Sequence, residues 1–409
     1  MAKASSRSSR NTLSESKAAH GYRMPAEWEP HTATWLAWPH HKEDWPGKFE
    51  PIPWVYADIV RNLAKHERVE LIVKNPAAAG QARKILERAD ALSPNVHFHC
   101  WPTDRVWLRD SGCIFLTPQK SSTQPDNRWR LSPHENRSHE NREGHEITRA
   151  HEHQSRNKAS TPDVRPLALK FRFNGWAKYS NWRQDEKIGS LMAKAAHVKE
   201  VRPHSMGARM ILEGGSIDVN GRGTILATEE CLLSKIQERN PHMARIHYEK
   251  AFADYLGAPH TIWLGRGIAG DDTHGHVDDL TRFVSRETVV TMVEPDSKDE
   301  NHAPLRANLR RLQSARDQNG RQLTIVELPM PQAVIFEGRR LPASYANFYI
   351  ANGVVLVPVF NRRNDRIALN TLTHLFPTRE IVPIYSGDFI WGLGAVHCMT
   401  KQQPAEKQP

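Results

Sequence analysis

Cysteine is scarce in this sequence of 409 residues, which holds only four. The four are widely spaced and include no Cys-x-x-Cys pair, which fits a reducing compartment without disulfides. No apolar run reaches the roughly 18 residues that a membrane-spanning helix needs. The first residues also lack the apolar stretch of a secretory signal. We therefore expect a cytoplasmic protein that does not bind membranes.

Apolar residues are also few, at 39% of the chain, against about 45–50% in a typical globular protein. The deficit is concentrated in residues 119–166 and in the first 23 residues. The remainder can bury a sizeable core, so disorder of the whole chain is excluded. We predict a disordered basic tail at 1–21, followed by a single domain at 22–409. A low-complexity surface insertion at about 119–166 interrupts that domain.

The net charge of +10 comes in good part from the tail, where five basic residues face one acidic residue in positions 1–23. A basic tail on a nearly balanced body is weak support for nucleic-acid binding. A protein that binds nucleic acid or an acidic partner is the alternative from a different functional class. It predicts steeply salt-dependent binding and leaves the polar clusters described below unexplained.

Hydrophobic periodicity alternates between hairpin, helix and strand at a period of about 65–75 residues. Asn220-Gly221 between two apolar runs is a strong hairpin signal. Helical spacing predicts helices over 241–256 and 303–318. So many hairpins exclude a doubly wound parallel sheet. They favour an α/β fold built as a ring of ββαβ-like units whose loops converge on a central site.

Four short clusters place polar residues where a plain core would not. Each lies next to a predicted strand or hairpin or close to the C-terminus. The clusters are Trp107-Leu-Arg-Asp-Ser-Gly112, Ile211-Leu-Glu-Gly-Gly-Ser216, Gly270-Asp-Asp-Thr-His-Gly-His-Val-Asp-Asp279 and Gly392-Leu-Gly-Ala-Val-His-Cys-Met-Thr400.

Cys398 is the candidate nucleophile. A free cysteine is more often a small buried hydrophobe, and we interpret the other three cysteines in that way. The glycines before Cys398 permit close backbone approach to a ligand, and a distant histidine and glutamate could activate its thiol.

The histidine cluster contains His274 and His276 together with four carboxylates. Histidine and aspartate bind zinc or iron, but no second group of ligands follows at the usual spacing, so we expect no metal. In an extended segment, both histidines and Asp278 would project to the same side. Spacing alone does not decide which histidine meets Cys398.

Asp110 and Glu213 are weak candidates when taken singly. A carboxylate beside glycines is more often a turn residue, and Asp110 could simply pair with Arg109. One thiol, two histidines and several carboxylates on loops together suit a flat cationic substrate. Carboxylates accept hydrogen bonds from the donor fork of a guanidinium, a thiolate attacks its carbon, and a histidine transfers protons.

The four clusters, in this order, resemble those of the agmatine deiminase family. This family belongs to the guanidine-modifying pentein superfamily, which also includes peptidylarginine deiminases. The segments Met24-Pro-Ala-Glu-Trp-Glu-Pro-His31 and Thr34-Trp-Leu-Ala-Trp-Pro39 are similar to the family's N-terminal signature. The resemblance implies a five-bladed α/β propeller of ββαβ units around a central active site. It also implies hydrolysis of agmatine to N-carbamoylputrescine and ammonia through a covalent thiouronium on Cys398, with no metal or organic cofactor.

The resemblance also implies a role for individual residues. Cys398 matches the nucleophile, His276 the acid and base, and Glu213 the carboxylate that orients this histidine. The residues that match the substrate pocket are Asp110 and Asp278 for the guanidinium, Trp107 for the wall, and Asp272 for the far amine of agmatine. The chain departs from the family pattern, without loss of a catalytic group, at Cys113, His274, Asp279 and Leu393.

A deiminase of arginine or of peptidyl arginine is the alternative within the same class. It would need a basic group for the substrate carboxylate. The arginines that could supply this group are Arg339, Arg340, Arg362 and Arg363. In either case the expected partner is a small guanidinium compound, and the sequence leaves a homo-oligomer open.

Overall fold

The computed structural model describes residues 19–119 and 165–406. The predicted tail at 1–21 and the predicted insertion at 119–166 lie almost wholly outside the described residues. The described residues up to Pro118 and from Arg165 onward form one compact unit. In these ranges, no helix is both long and apolar enough to cross a bilayer.

Five sheets of the same design make up this mixed α/β fold. In each sheet, two neighbouring strands pair antiparallel, and a helical connection then leads to a strand parallel to the second of them. The predicted alternation of hairpin, helix and strand is confirmed. We number the sheets 1 to 5 along the chain. The number follows the position of the strand that lies parallel to the second strand of each antiparallel pair.

Each sheet has three or four strands, named in hydrogen-bonded order. Sheet 1 consists of Lys401–Pro404, His31–Ala37, Arg68–Val73 and Val96–Cys100. Sheet 2 consists of Tyr22–Arg23, Ile114–Pro118, Leu167–Leu169 and Lys199–Val201. Sheet 3 consists of Ile217–Val219, Thr224–Thr228 and His260–Leu264. Sheet 4 consists of Thr281–Phe283, Thr288–Val293 and Thr324–Pro329. Sheet 5 consists of Tyr349–Ile350, Val354–Val359 and Glu380–Tyr385. Two short ribbons pair His204–Ser205 with Ala208–Arg209 and Ile335–Phe336 with Arg339–Arg340.

The connecting helices are amphipathic and pack against the sheets. In the helix Ile52–Ala64, the buried side chains of Tyr56, Ile59, Val60 and Leu63 recur at helical spacing. The other connecting helices are Pro76–Arg88, Asp185–Ala195, Glu229–Leu233, Arg245–Leu256, His302–Ser314 and Asp365–Leu375. Further 3-10 turns lie at Lys42–Asp44 and Phe389–Gly392.

Five short helical turns position the polar clusters. Each turn ends one to three residues before the first strand of an antiparallel pair, and each contacts the next in a cycle. The turns are Leu108–Ser111, Gly214–Ser216, Val277–Asp279, Tyr345–Asn347 and Val396–Met399. The repeated design therefore delivers one polar segment from every sheet to a common place.

The predicted Asn220-Gly221 hairpin is confirmed. Gly221 adopts a left-handed backbone with a φ of 68°. The side-chain oxygen of Asn220 accepts hydrogen bonds from the backbone amides of Arg222 and Thr224. This hairpin joins the first two strands of sheet 3 directly after the Gly214–Ser216 turn.

Two predicted helices are shorter than the periodicity indicated. The helix predicted over 241–256 begins only at Arg245 and ends before Gly257, whose φ of 64° caps it. The helix predicted over 303–318 ends at Ser314, because the backbone of Ala315 is extended. Beyond it, the backbone amide of Asp317 donates to the carbonyl oxygen of Arg321 in a turn.

Candidate active site

A cavity of about 180 Å³ is lined by residues of two of the helical turns, Asp110 of Leu108–Ser111 and Cys398 of Val396–Met399. Cys398, Asp110 and Trp107 line its inner part, together with Trp176. It is large enough for a flat headgroup of a few atoms. The cavity therefore brings together residues from the first, third and last of the four sequence clusters, because Asp272 and Thr273 also line it.

Asn347 holds the turn that carries Cys398. Its side-chain amide donates to Cys398 Sγ at 3.1 Å and to Asp279 at 2.9 Å. Its side-chain oxygen accepts from the backbone amides of His397 and Cys398 at 2.9 and 3.3 Å. Because one side chain fixes both the sulfur and the backbone beneath it, the thiol is directed into the cavity.

The Cys398 thiol is 7% exposed. Burial raises its pKa well above the usual value, and the nearby carboxylates of Asp278, Asp279 and Asp110 raise it further. Burial and these carboxylates therefore favour the protonated thiol in the unliganded protein.

Asp278 lies between the sulfur and the histidine. One of its oxygens is 3.8 Å from Cys398 Sγ, and the other is 4.0 Å from His276 Nδ1. The first oxygen also bonds His397 Nδ1 at 2.7 Å, whereas the second has no hydrogen-bond partner among the described residues. Burial would raise the pKa of Asp278, but His397 and His276 outweigh it and lower the pKa. The site thus holds a carboxylate with one free oxygen.

His397 links Asp278 to a second buried acid, Glu27. His397 Nε2 lies 2.8 Å from an oxygen of Glu27. An imidazole donates to both acids only when both of its nitrogens carry hydrogen. Glu27 also accepts from Arg282 at 2.8 Å and from Arg109 at 3.2 Å. This arrangement, which we call the Glu27–His397–Asp278 relay, fixes the orientation of Asp278.

Asp110 is held by two donors. The backbone amide of Gly215 donates to one oxygen at 2.9 Å, and Trp176 Nε1 donates to the other at 2.8 Å. Burial raises the pKa of Asp110, and its neighbours Asp278 and Glu213 raise it further, against the opposite effect of His276. Each oxygen keeps a lone pair for a further donor.

His276 faces three carboxylates. Its Nδ1 lies 3.9 Å from Asp110 and 4.0 Å from Asp278, and its Nε2 lies 4.0 Å from Glu213. Burial alone would lower its pKa, but Asp110, Cys231 and Asp278 together hold the pKa well above the usual value. These neighbours therefore favour the imidazolium form of His276 in the unliganded protein.

Glu213 is fully buried behind His276. Arg239, itself buried, donates from Nε to one oxygen of Glu213 at 3.2 Å. The other oxygen faces His276 and has no hydrogen-bond partner in the described ranges. Arg239 thus compensates the charge of a carboxylate whose free oxygen is directed at the histidine.

Gly215 is the point of closest approach between the backbone and the site. A β-carbon there would lie 2.6 Å from His276 Nδ1 and 3.0 Å from an oxygen of both Asp110 and Asp278. Only glycine fits at this position, because real β-carbons do not come within 3.0 Å of other atoms.

His274 does not join the site. Its backbone has a φ of 64°, so the segment is not extended, and its Nε2 bonds Ser234 Oγ at 3.1 Å. The alternation predicted for an extended segment is therefore wrong for His274. His276 and Asp278 do converge, because a 3-10 turn rather than a strand begins at Val277.

The outer part of the cavity carries charges of both signs. Asp272 bonds Tyr179 Oη at 2.5 Å and also Lys178, and it lies 3.8 Å from Arg339. Asp272, Tyr179 and Arg339 all line the cavity, with Trp107 deeper inside. Asp272 thus lines the cavity, with the cationic side chains of Lys178 and Arg339 beside it.

The other three arginines proposed for a substrate carboxylate are not among the described residues that line the cavity. Arg340 instead donates to Asp299 at 2.9 Å and to Glu300 at 3.1 Å. Of that group, only Arg339 could reach a substrate.

Several residues of the site escaped the sequence analysis. They support the predicted site residues. The residues that were missed are Glu27, Trp176, Gly215, Arg239, Asn347 and His397. Asn347 could have been found, since its turn precedes a hairpin in the same way as three of the four clusters do. Gly215 and His397 lie within two of the four clusters and Glu27 lies within the N-terminal signature, but no role was predicted for them. Trp176 and Arg239 carry no local signal of their role.

Comparisons with known proteins identify the family of this chain. The family model described as Porphyromonas-type peptidyl-arginine deiminase matches residues 23–404 of the chain. An agmatine deiminase of Pseudomonas aeruginosa is 30% identical over 413 aligned residues, which cover 95% of this chain and 97% of that protein.

Solved structures are similar over the same range. Agmatine deiminase of Enterococcus faecalis has a TM-score of 0.78 at 25% identity, covering 95% of this chain and 97% of that one. A C. jejuni agmatine deiminase with a cysteine-to-serine substitution and bound substrate has a TM-score of 0.73 at 26% identity, covering 93% and 96%. The chain therefore belongs to the Porphyromonas-type peptidyl-arginine deiminase family, and the resemblance to agmatine deiminases expected from its sequence is confirmed.

Proposed function

We propose that this protein hydrolyses agmatine to N-carbamoylputrescine and ammonia, with Cys398 as the nucleophile. The observation that carries the proposal is that Asp278 and His276 converge on Cys398 and Asp110, and that the latter two line one cavity. The free oxygen of Asp278 and the remaining lone pairs of Asp110 accept the hydrogen bonds that a guanidinium donates.

The bound cation changes the ionisation of the thiol. The nearby carboxylates raise the pKa of Cys398, and a positive charge next to the sulfur lowers it again. The attraction between this charge and the thiolate is on the order of a few kcal/mol. The thiol proton is released to solvent, and the thiolate attacks the central carbon of the guanidinium. The substrate thereby activates its own nucleophile.

His276 transfers the protons of the two later steps. As an imidazolium, it protonates the departing nitrogen, so that ammonia leaves and a thiouronium remains on Cys398. Neutral His276 then accepts a proton from water as the water attacks the same carbon. The carbon–sulfur bond then breaks as the hydroxyl proton of the tetrahedral intermediate is lost to solvent, which releases the neutral ureido product and restores the thiolate. Glu213 keeps the ring oriented for both transfers.

Trp107 and Asp272 are proposed to bind the rest of the substrate. Trp107 packs within ring-stacking distance of Trp45 and Phe389 and offers the cavity a rigid apolar wall. Asp272 is proposed to accept the far ammonium of agmatine, displacing Lys178 as its partner.

Arginine or a peptidyl arginine is the second candidate substrate. Arg339, which lines the cavity and is about half exposed, could bind a substrate carboxylate. The proximity of Arg339 and Lys178 to Asp272 is the specific observation that favours this candidate.

The five-bladed propeller is proposed as the architecture around this chemistry. Its support is that five sheets share the same unit, an antiparallel pair followed by a parallel strand. In addition, the five helical turns contact one another in a cycle. We further propose that residues 22–409 form one catalytic domain, with the segment at about 119–166 as a surface insertion. A cytoplasmic location is proposed from the four cysteines, which are all free thiols in the described ranges.

A direct assay compares three substrates. Purified protein is incubated with agmatine, free arginine and a peptide ending in arginine, and ammonia and ureido product are measured. We expect kcat/KM to be highest for agmatine. A higher value for arginine or the peptide would transfer the assignment to the second candidate, and no turnover of any of the three would overturn the proposed function.

A further inference from the structure

A buried cluster behind the cavity combines three side chains that transition metals bind. His276, Cys231 and Glu213 each offer one ligand atom, and these atoms all lie within 4.8 Å of one another. None of the three residues is more than 1% exposed. A thiol, an imidazole and a carboxylate form the mixed donor set that zinc takes in proteins.

Two of the three ligand atoms lack a partner. His276 Nε2 and Glu213 Oε2 have no hydrogen-bond partner among the described residues, and they lie 4.0 Å apart. Buried polar atoms without partners cost free energy, so a group placed between them would be stabilised. Zinc bonds of about 2.0–2.3 Å in a tetrahedron bring ligand atoms to roughly 3.3–3.8 Å of one another. His276 Nε2 and Glu213 Oε2 would therefore have to approach each other by less than about one ångström to bind the same ion.

The charges of the cluster suit a divalent ion. A thiolate and the Glu213 carboxylate supply two negative charges, and Arg239, bonded to the other oxygen of Glu213, offsets one of them. The cluster lies directly beneath the cavity, because Asp110 lines the cavity and is 3.9 Å from His276 Nδ1. An ion that enters the cavity therefore has one layer of side chains to pass.

We propose that Glu213, Cys231 and His276 form an inhibitory zinc site. Binding of Zn²⁺ displaces the Nε2 proton of the His276 imidazolium and the thiol proton of Cys231 to solvent. The ion then occupies the ring nitrogen opposite the reacting side of His276 together with the Glu213 oxygen that orients the ring. His276 can then no longer change its protonation or orientation, and turnover stops until a chelator removes the ion. The inhibition rests on the proposed function of His276, whereas the binding of the ion does not.

A second cluster provides the competing explanation. Cys398, Asp278 and Asp279 also offer ligand atoms within 4.8 Å of one another. In this cluster Asn347 already donates to both the sulfur and Asp279, so an ion would have to break two hydrogen bonds. The two clusters contain different cysteines, which makes them separable by mutation.

Cobalt binding is the experiment that tests the site without turnover. Co²⁺ is titrated into the intact protein and into Cys231→Ser, Cys398→Ser and Cys113→Ser, and the sulfur-to-cobalt absorption is recorded. Cys113, also buried, is the matched control. We expect Cys398→Ser and Cys113→Ser to keep the absorption, and Cys231→Ser to lose it and bind zinc at least about tenfold more weakly.

The opposite pattern overturns the proposal. Absorption that survives in Cys231→Ser and disappears in Cys398→Ser would place the ion on the nucleophile, and the absence of binding by the intact protein would remove the site altogether. Circular dichroism and Cys231→Ala distinguish a lost ligand from a lost fold. Zinc inhibition of Cys231→Ser, normalised to its own metal-free activity, should be at least about tenfold weaker than that of the intact protein. Metal binding without any deiminase activity would contradict the proposed function and leave the site standing.

Discussion

Asp278 lies 3.8 Å from the sulfur of Cys398. A carboxylate so close to a thiol stabilises the protonated form and works against the nucleophile. In the proposed mechanism, the same carboxylate becomes favourable once a guanidinium fills the cavity, because it then binds the substrate. The proposal therefore makes the free protein unreactive, and the cationic substrate makes it reactive.

This relationship predicts selectivity between two alkylating reagents of nearly equal size. The cationic 2-chloroacetamidine should inactivate the enzyme at neutral pH at least about tenfold faster than the neutral 2-chloroacetamide. The pKa of Cys398 is raised, so the rate with the neutral reagent should climb only as the pH rises well into the alkaline range. Inactivation rates across a pH series give the measurement. Equal rates for the two reagents at neutral pH would contradict this explanation.

The Glu27–His397–Asp278 relay predicts a pH shift. His397 lowers the pKa of Asp278, so His397→Gln should raise that pKa and move the acid limb of kcat/KM to higher pH. At neutral pH, kcat/KM should fall by about 10–100-fold, the usual effect of losing a hydrogen bond to a charged group. His374→Gln, at an exposed histidine, is the control and should change neither quantity. An unshifted acid limb in His397→Gln would show that the relay is only structural.

Gly215 predicts a steric effect of a single methyl group. Gly215→Ala places a carbon within 3.0 Å of three site residues, so we expect activity to fall by at least about a hundredfold while the protein stays folded. The control is Gly80→Ala, where no atom of the described residues lies within 4 Å of the added carbon. Steady-state kinetics and thermal unfolding of both variants provide the test. Near-normal kinetics in Gly215→Ala would mean that the close approach has no functional role.

The strands on either side of the insertion predict that it is dispensable. Ile114 pairs with Leu169 and Leu116 with Leu167, so a short turn can connect these strands directly. Replacing residues 119–165 by Asn-Gly should leave kcat/KM for agmatine within about twofold. A large loss of activity in a variant that remains folded would assign the insertion a role in substrate binding.

The sequence predicted the repeating units well, because hairpin signals and apolar periodicity are local properties. The closing strand of sheet 1, Lys401–Pro404, could not be found in this way. Its residues are polar, and it becomes a strand only because it pairs with His31–Ala37, far away in the chain. The turn at Val277–Asp279 escaped for a similar reason, since a short polar segment between strands has no periodicity.

The sequence analysis selected most of the residues that converge at the candidate site, but not the residues that hold them in place. Cys398, His276 and the acids stand in unusual local sequences, so the motif alone marks them. Glu27 and Arg239 are ordinary surface types whose burial depends on long-range packing around charged partners. The role of such residues can be recognised only from the three-dimensional arrangement of the helices, strands and loops that carry them.

The most direct test of the central claim is to observe the covalent intermediate. The enzyme is quenched in acid during turnover of agmatine, digested and examined by mass spectrometry. We predict an adduct on Cys398 with the mass of agmatine less one ammonia, absent from Cys398→Ser. Active enzyme with Cys398 unmodified under these conditions, or a Cys398→Ser variant that still releases ammonia, would contradict the proposed role of this thiol.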